Sequence, residues 1–215
     1  MDNGLSLLHR RRAAFTKRRQ PSRGYPAHIK GTAYHEAGHA IAALKMERFV
    51  HRLAVDHNNP GRGVTWYNSA KSNPYNIESS PGKALLAWQY TYDTTLNDIF
   101  ILLAGPMAES KLLARPLRQL GNKRDLDTCM ELACRLDERA KTARKWTDIP
   151  HIQKAELLNH MRRRTRAWVN GKKTWNAISV VATALINNTW VENESLSDLV
   201  GQSLCFESRQ LQLTI

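Results

Sequence analysis

The chain has 215 residues, enough for one domain with short appendages, and its 42% hydrophobic content supplies a packed core and excludes a wholly disordered polypeptide. Thirty-two Lys and Arg against 19 Asp and Glu give a net charge of +13 and a pI near 10.0, a surface that attracts nucleic acid, anionic lipid or acidic protein segments. The three cysteines, Cys129, Cys134 and Cys205, contain no Cys-x-x-Cys pair and cannot all pair with one another, which argues against a disulfide framework and for a reducing, cytoplasmic compartment. No apolar stretch near the N-terminus marks a secretory signal, and the most apolar runs, around 99–104 and 178–186, are well short of the ~20 residues that a membrane span needs.

Residues 1–30 read as a basic, flexible arm: "HRRRAAFTKRRQPSRGYP" carries no acid and two prolines. If the arm is a transit peptide, the compartment becomes an organelle interior; otherwise it is a weak tether for anionic partners. A helix is predicted from Thr32 to about Met46, with Tyr34, Ala37, Ala40, Ile41 and Leu44 on one stripe. Val50 to Val55 and Gly63 to Tyr67 are β-prone, and Asn58-Asn59-Pro60-Gly61 between them is turn chemistry. After a polar loop, Ser80-Pro81 opens a helix. Helical patterns cover Pro81 to Tyr90, Thr95 to Leu113, Asp125 to about Lys145, Ile152 to Val169 and Lys172 to Asn187, and the end is short and irregular. The predicted fold is mainly α, a helical bundle with a small β-sheet beside the first helix. A domain over residues 31–205 lies between the arm and a tail at 206–215.

The first helix carries the chemistry. In "TAYHEAGHAIAA", His35 and His39 are one turn apart, so both imidazoles point the same way and can reach one Zn²⁺. Glu36 is rotated to the side, where a carboxylate can hold a water on the metal; this is what HExxH supplies to metal hydrolases. Gly38 costs the helix ~1 kcal/mol relative to alanine, which is explained if another backbone or a substrate approaches closely there. An open catalytic zinc site needs a third protein ligand. Glu109, Asp125, Asp127 and Glu131 are the candidates, and spacing alone does not choose among them. Asp125 also suits a helix N-cap, and Glu109 a helix-surface acid.

Beyond these five letters, the segment resembles the start of the peptidase domain of FtsH-type zinc metallopeptidases. The likeness continues in order. "HRLAVDHNNPGRGVTWY" is similar to that family's strand, turn and Gly-Val-Thr segment, and "ILLAGPMAES" to its Gly-Gly-Arg-x-Ala-Glu helix. "GNKRDLDTCMELACRL" is similar to its Asn-Asp helix, and "WNAISVVATALINNTWVENESLSDLV" to its closing helices. The resemblance covers roughly residues 30–200. It implies a zincin-like fold, with His35, His39 and Asp125 as zinc ligands and Glu36 as the catalytic glutamate. It implies a supporting place for Glu109 behind a ligand imidazole, and an extended peptide laid along Gly63, Val64 and Thr65. The reaction implied is endopeptidase hydrolysis of unfolded or flexible polypeptides.

This sequence departs from the family pattern in several places. It shows no membrane helix and no ATPase module, so folded substrates would need a separate ATPase. Pro106 stands where the family carries arginine and predicts a kink beside the site. Arg124 precedes Asp125 where the family prefers asparagine. Two rival functions follow. One is a non-enzymatic basic protein that binds nucleic acid or an acidic partner on the same fold, drawing on the arm and on the alternating bases and tryptophans of "NHMRRRTRAWVNGKKTW". The other is a metal-binding but inactive relative.

Overall fold

Alanine has the highest helix propensity and the smallest side chain that keeps it. The Ala-rich first segment accordingly forms α1 (Ile29–Lys45), a helix that other elements approach from several sides. The computed structural model describes residues 29–75, 80–120 and 122–201. Nearly every residue of α1 from Gly31 to Ala43 is buried, which is the signature of a central rather than a surface helix. The helix starts at Ile29, so the last two residues assigned to the basic arm belong to it; the rest of the arm lies outside the described residues, as do Cys205 and the tail at 206–215.

The two predicted strands form as β1 (Val50–Val55) and β2 (Gly63–Tyr67), paired antiparallel. Their turn is held by the Asp56 carboxylate, which accepts from the backbone N–H groups of Asn58 and Asn59 and from the Asn59 side chain. Gly61 takes a φ of 99° there, a conformation open to glycine at little cost. The sheet has a third strand that the alternation did not reveal. β3 (Trp190–Glu192) pairs with the other side of β1, giving the order β2-β1-β3. Three residues are too few to show a period, and the predicted irregular end is corrected to β3 followed by a short helix, α6 (Asn193–Gly201). Leu53, Val55 and Val191 bury the inner face of the sheet in the core around α1, and β2 is an edge strand.

A second correction concerns the predicted break between Tyr90 and Thr95. The chain forms one unbroken helix, α2 (Pro81–Leu113). The Thr-rich stretch lowers propensity but contains no residue that stops a helix. The Thr94 hydroxyl bonds back to the Tyr90 carbonyl, and Thr91 is buried where the Asn73 side chain donates to its hydroxyl. Ser80 caps the start by accepting from the Lys83 N–H, and the helix passes through Pro106. Next come α3 (Lys123–Ala143), α4 (Lys154–Asn170) and α5 (Lys172–Asn188). The tryptophans of the basic segment are core-facing: Trp168 packs on Phe100 and Trp175 on Tyr34, with ring centroids 4.9 and 5.2 Å apart. No helix among the described residues is long and apolar enough to cross a membrane.

Gly38 marks where α1 and α2 meet. A Cβ at this position would lie 2.6 Å from the Ala104 carbonyl oxygen and 3.0 Å from its carbon. The obstacle is backbone, which cannot rotate aside. Gly38→Ala is therefore expected to lose about 1–3 kcal/mol of stability or more through overpacking, despite the ~1 kcal/mol that alanine returns in helix propensity. A lower denaturant midpoint in equilibrium unfolding checks this.

Candidate metal centre

Three helices converge on one point. On α1, His35 and His39 stand one turn apart, and their Nε2 atoms are 3.0 Å from each other. From the first turn of α3, Asp125 brings its Oδ2 to 3.1 Å from His35 Nε2 and 3.8 Å from His39 Nε2. From α2, Glu109 sets its Oε2 3.0 Å from His35 Nδ1, and the Ile101 carbonyl accepts from His39 Nδ1 at 2.8 Å. Both imidazoles are thus anchored through Nδ1, and both turn Nε2 toward the Asp125 carboxylate. His35, His39 and Asp125 form a group that could hold a metal ion. Asp125 is not the cap of α3; that position belongs to Asn122, so the carboxylate is free to face α1.

The glycines of α1 and α2 make this approach possible. A Cβ on Gly105 would come within 2.4 Å of His39 Nε2, so the ring occupies space that only glycine leaves open. Gly31 is not under the same demand, since a Cβ there would meet the Glu109 carboxylate at 3.4 Å, an ordinary contact.

The electrostatics follow from crowding acceptors together. Two imidazole nitrogens and a carboxylate oxygen within 3.8 Å of one another repel unless they share a cation. A proton can serve as that cation. Burial pulls the His35 pKa down, but the hydrogen bonds to Asp125 and Glu109 and the charge of Glu36 outweigh it and raise the value to about 10. Burial pushes Asp125 upward, and its contacts with His35 and His39 more than reverse that, holding it well below the usual carboxylate range. A divalent ion answers the same repulsion. The separations of 3.0, 3.1 and 3.8 Å bracket the roughly 3.3–3.6 Å expected between neighbouring donors on a tetrahedral ion bonded at ~2.0–2.2 Å. Nitrogen and carboxylate donors suit such an ion.

Glu36 is buried beside this group, not within it. The Thr65 hydroxyl donates to its Oε2 at 2.7 Å and lies 3.1 Å from its backbone carbonyl. Gly63 makes room, since a Cβ there would fall 2.6 Å from Glu36 Cγ. Gly61 N–H donates to the Thr32 hydroxyl at 2.9 Å, tying the turn before β2 to α1. Of the three β2 residues singled out for peptide binding, Gly63 and Thr65 face Glu36 and Val64 alternates to the other side.

The remaining candidates lie elsewhere. Asp127 is exposed, and Glu131 is exposed and pairs with Arg135 at 3.3 Å. Arg124 is exposed beside half-buried Asp125. His51 bonds to the Asn68 side chain, while His57, His151 and His160 are exposed. Cys129 is a core residue whose thiol burial pushes up to about 12. The sequence did not single out Gly105 or the Ile101 carbonyl. A glycine inside an apolar helical run was a usable signal; a backbone acceptor 62 residues from its histidine was not.

No family model matches this chain, and no curated protein matches it.

Proposed function

We propose that the chain is a zinc-dependent endopeptidase of the FtsH type, acting on unfolded or flexible polypeptides through a zincin-like site. The observation that carries this is the convergence of His35, His39 and Asp125 with Glu36 fixed beside them by the Thr65 hydroxyl. His35 Nε2, His39 Nε2 and an Asp125 oxygen would hold the ion, with Glu109 and the Ile101 carbonyl orienting the two rings. When bound, such an ion supplies Lewis acidity that polarises a carbonyl and lowers the pKa of water toward ~7.

Glu36 is the general base. Its carboxylate takes the proton from the attacking water as the new C–O bond forms, and returns it to the departing amide nitrogen as the C–N bond breaks. The Thr65 hydrogen bond orients the carboxylate for both transfers. The edge of β2 offers backbone N–H and C=O groups to an extended peptide, a mode that reads main chain before side chain and tolerates varied sequences.

Chelation followed by metal return tests the reading. Treatment with a tight chelator should abolish cleavage of a permanently unfolded reporter protein, and stoichiometric Zn²⁺ should restore it. Metal uptake without any cleavage would leave an inactive metal-binding relative and defeat the peptidase assignment. Cleavage that survives chelation would defeat the metal's part in it.

A further inference from the structure

Successive helix residues are rotated by about 100°, so Met107 and Lys111, two residues either side of Glu109, lie almost opposite it on α2. There the helix meets α4, and the two flank a half-open cleft of about 180 Å³ lined by Met107, Ser110, Lys111, Arg166, Val169 and Asn170. Two of these residues are cations and none is an acid.

Lys111 is held at the cleft without an acidic partner. Its Nζ donates to the Val169 carbonyl at 3.2 Å and lies 4.2 Å from the centre of the Trp175 ring. It pairs with no carboxylate among the described residues, and desolvation lowers its pKa. Arg166, exposed at the cavity mouth, also forms no hydrogen bond or ion pair among the described residues. Asn170 adds an amide donor at the end of α4. Arg48, another part-buried cation, instead meets Asp98 at 3.1 Å. Two cationic residues lining one cleft together with Met107 and Val169, and no acid among them, suit an oxyanion. The volume is below the ~300 Å³ at which drug-sized ligands begin, which favours one small anionic group over a long chain.

We propose that the cleft between α2 and α4 is an oxyanion site that takes inorganic phosphate or the phosphate group of a small ester. It is separate from the metal centre and does not depend on the peptidase reading.

Calorimetric titration of the full chain with inorganic phosphate, and in parallel with glycerol 3-phosphate, tests this and separates the free ion from the ester. One saturable site per chain is expected for at least one of the two. Lys111→Gln and Arg166→Gln should each weaken it roughly tenfold or more, the scale of a charge-assisted hydrogen bond. Arg163→Gln, on the exposed face of α4 and not in the cavity lining, should change it less than twofold. Arg166 is exposed, so its variant tests the site even if Lys111→Gln folds poorly. Absence of saturable binding, or equal weakening by Arg163→Gln, would overturn the proposal. So would loss of binding on metal removal, because the anion would then be sitting at the His35–His39–Asp125 group.

Discussion

Glu36→Gln is expected to slow cleavage of an unfolded reporter by ~10²–10⁴-fold, the span of general acid–base contributions, while metal content remains close to that of the parent. Glutamine keeps the volume and an acceptor oxygen for the Thr65 hydroxyl, so the side chain stays against β2 at Gly63. What it removes is the ability to accept and return a proton. The metal should stay because the carboxylate of Glu36 is not one of the converging donors. Two measurements decide the matter: initial rates on the reporter, and metal per chain by elemental analysis. Cleavage at the parent rate would take Glu36 out of the mechanism. Loss of the metal along with activity would mean that the side chain acts on the ion's binding and not on the proton.

Gly105→Ala is expected to disable the metal centre while leaving every candidate ligand in the sequence. The added methyl would overlap the His39 ring, with Nε2 at 2.4 Å and Cε1 at 2.6 Å. Unlike the carbonyl facing Gly38, a ring can swing away, and alanine is the better helix former by ~1 kcal/mol. The fold should therefore survive. To move, however, His39 must leave the Ile101 carbonyl and withdraw Nε2 from Asp125. Disturbing the supports of a metal ligand typically costs 10–100-fold in affinity, and displacement of the ligand itself should reach or exceed that range. Competition against a chromogenic chelator reads the affinity, and thermal unfolding reads the fold. Unchanged metal affinity would show that His39 does not bind the ion.

What was legible in the sequence was whatever depends on local period and turn chemistry. The helix α1, the Asn-Pro-Gly turn and the Ser80-Pro81 cap each carry their cause within a few residues, whereas the burial of α1 on nearly all sides is not confined to the stripe that the period marks. The pair His35–His39 belongs to this class, since one helical turn aligns them. The third partner does not. Asp125, Asp127 and Glu131 look alike as letters, and only the packing of α3 against α2 and α4 turns Asp125 toward His35 and leaves the other two in solvent. β3 was illegible for another reason: Trp190, Val191 and Glu192 become a strand because β1 offers an edge, not because of a preference of their own. The continuity of α2 through Thr91–Thr95 was hidden by weak propensity that tertiary contacts override.

That continuity has a mechanical consequence. At 1.5 Å per residue, α2 is a rod of roughly 50 Å, and Ile101, Gly105 and Glu109 sit on it at steps of four. The helical repeat sets their mutual spacing, and Pro106, which gives up one helical hydrogen bond, lies between the support of His39 at Ile101 and that of His35 at Glu109. Both histidine supports ride on one continuous helix, so a displacement of α2 as a whole carries them together, while bending at Pro106 would alter one relative to the other.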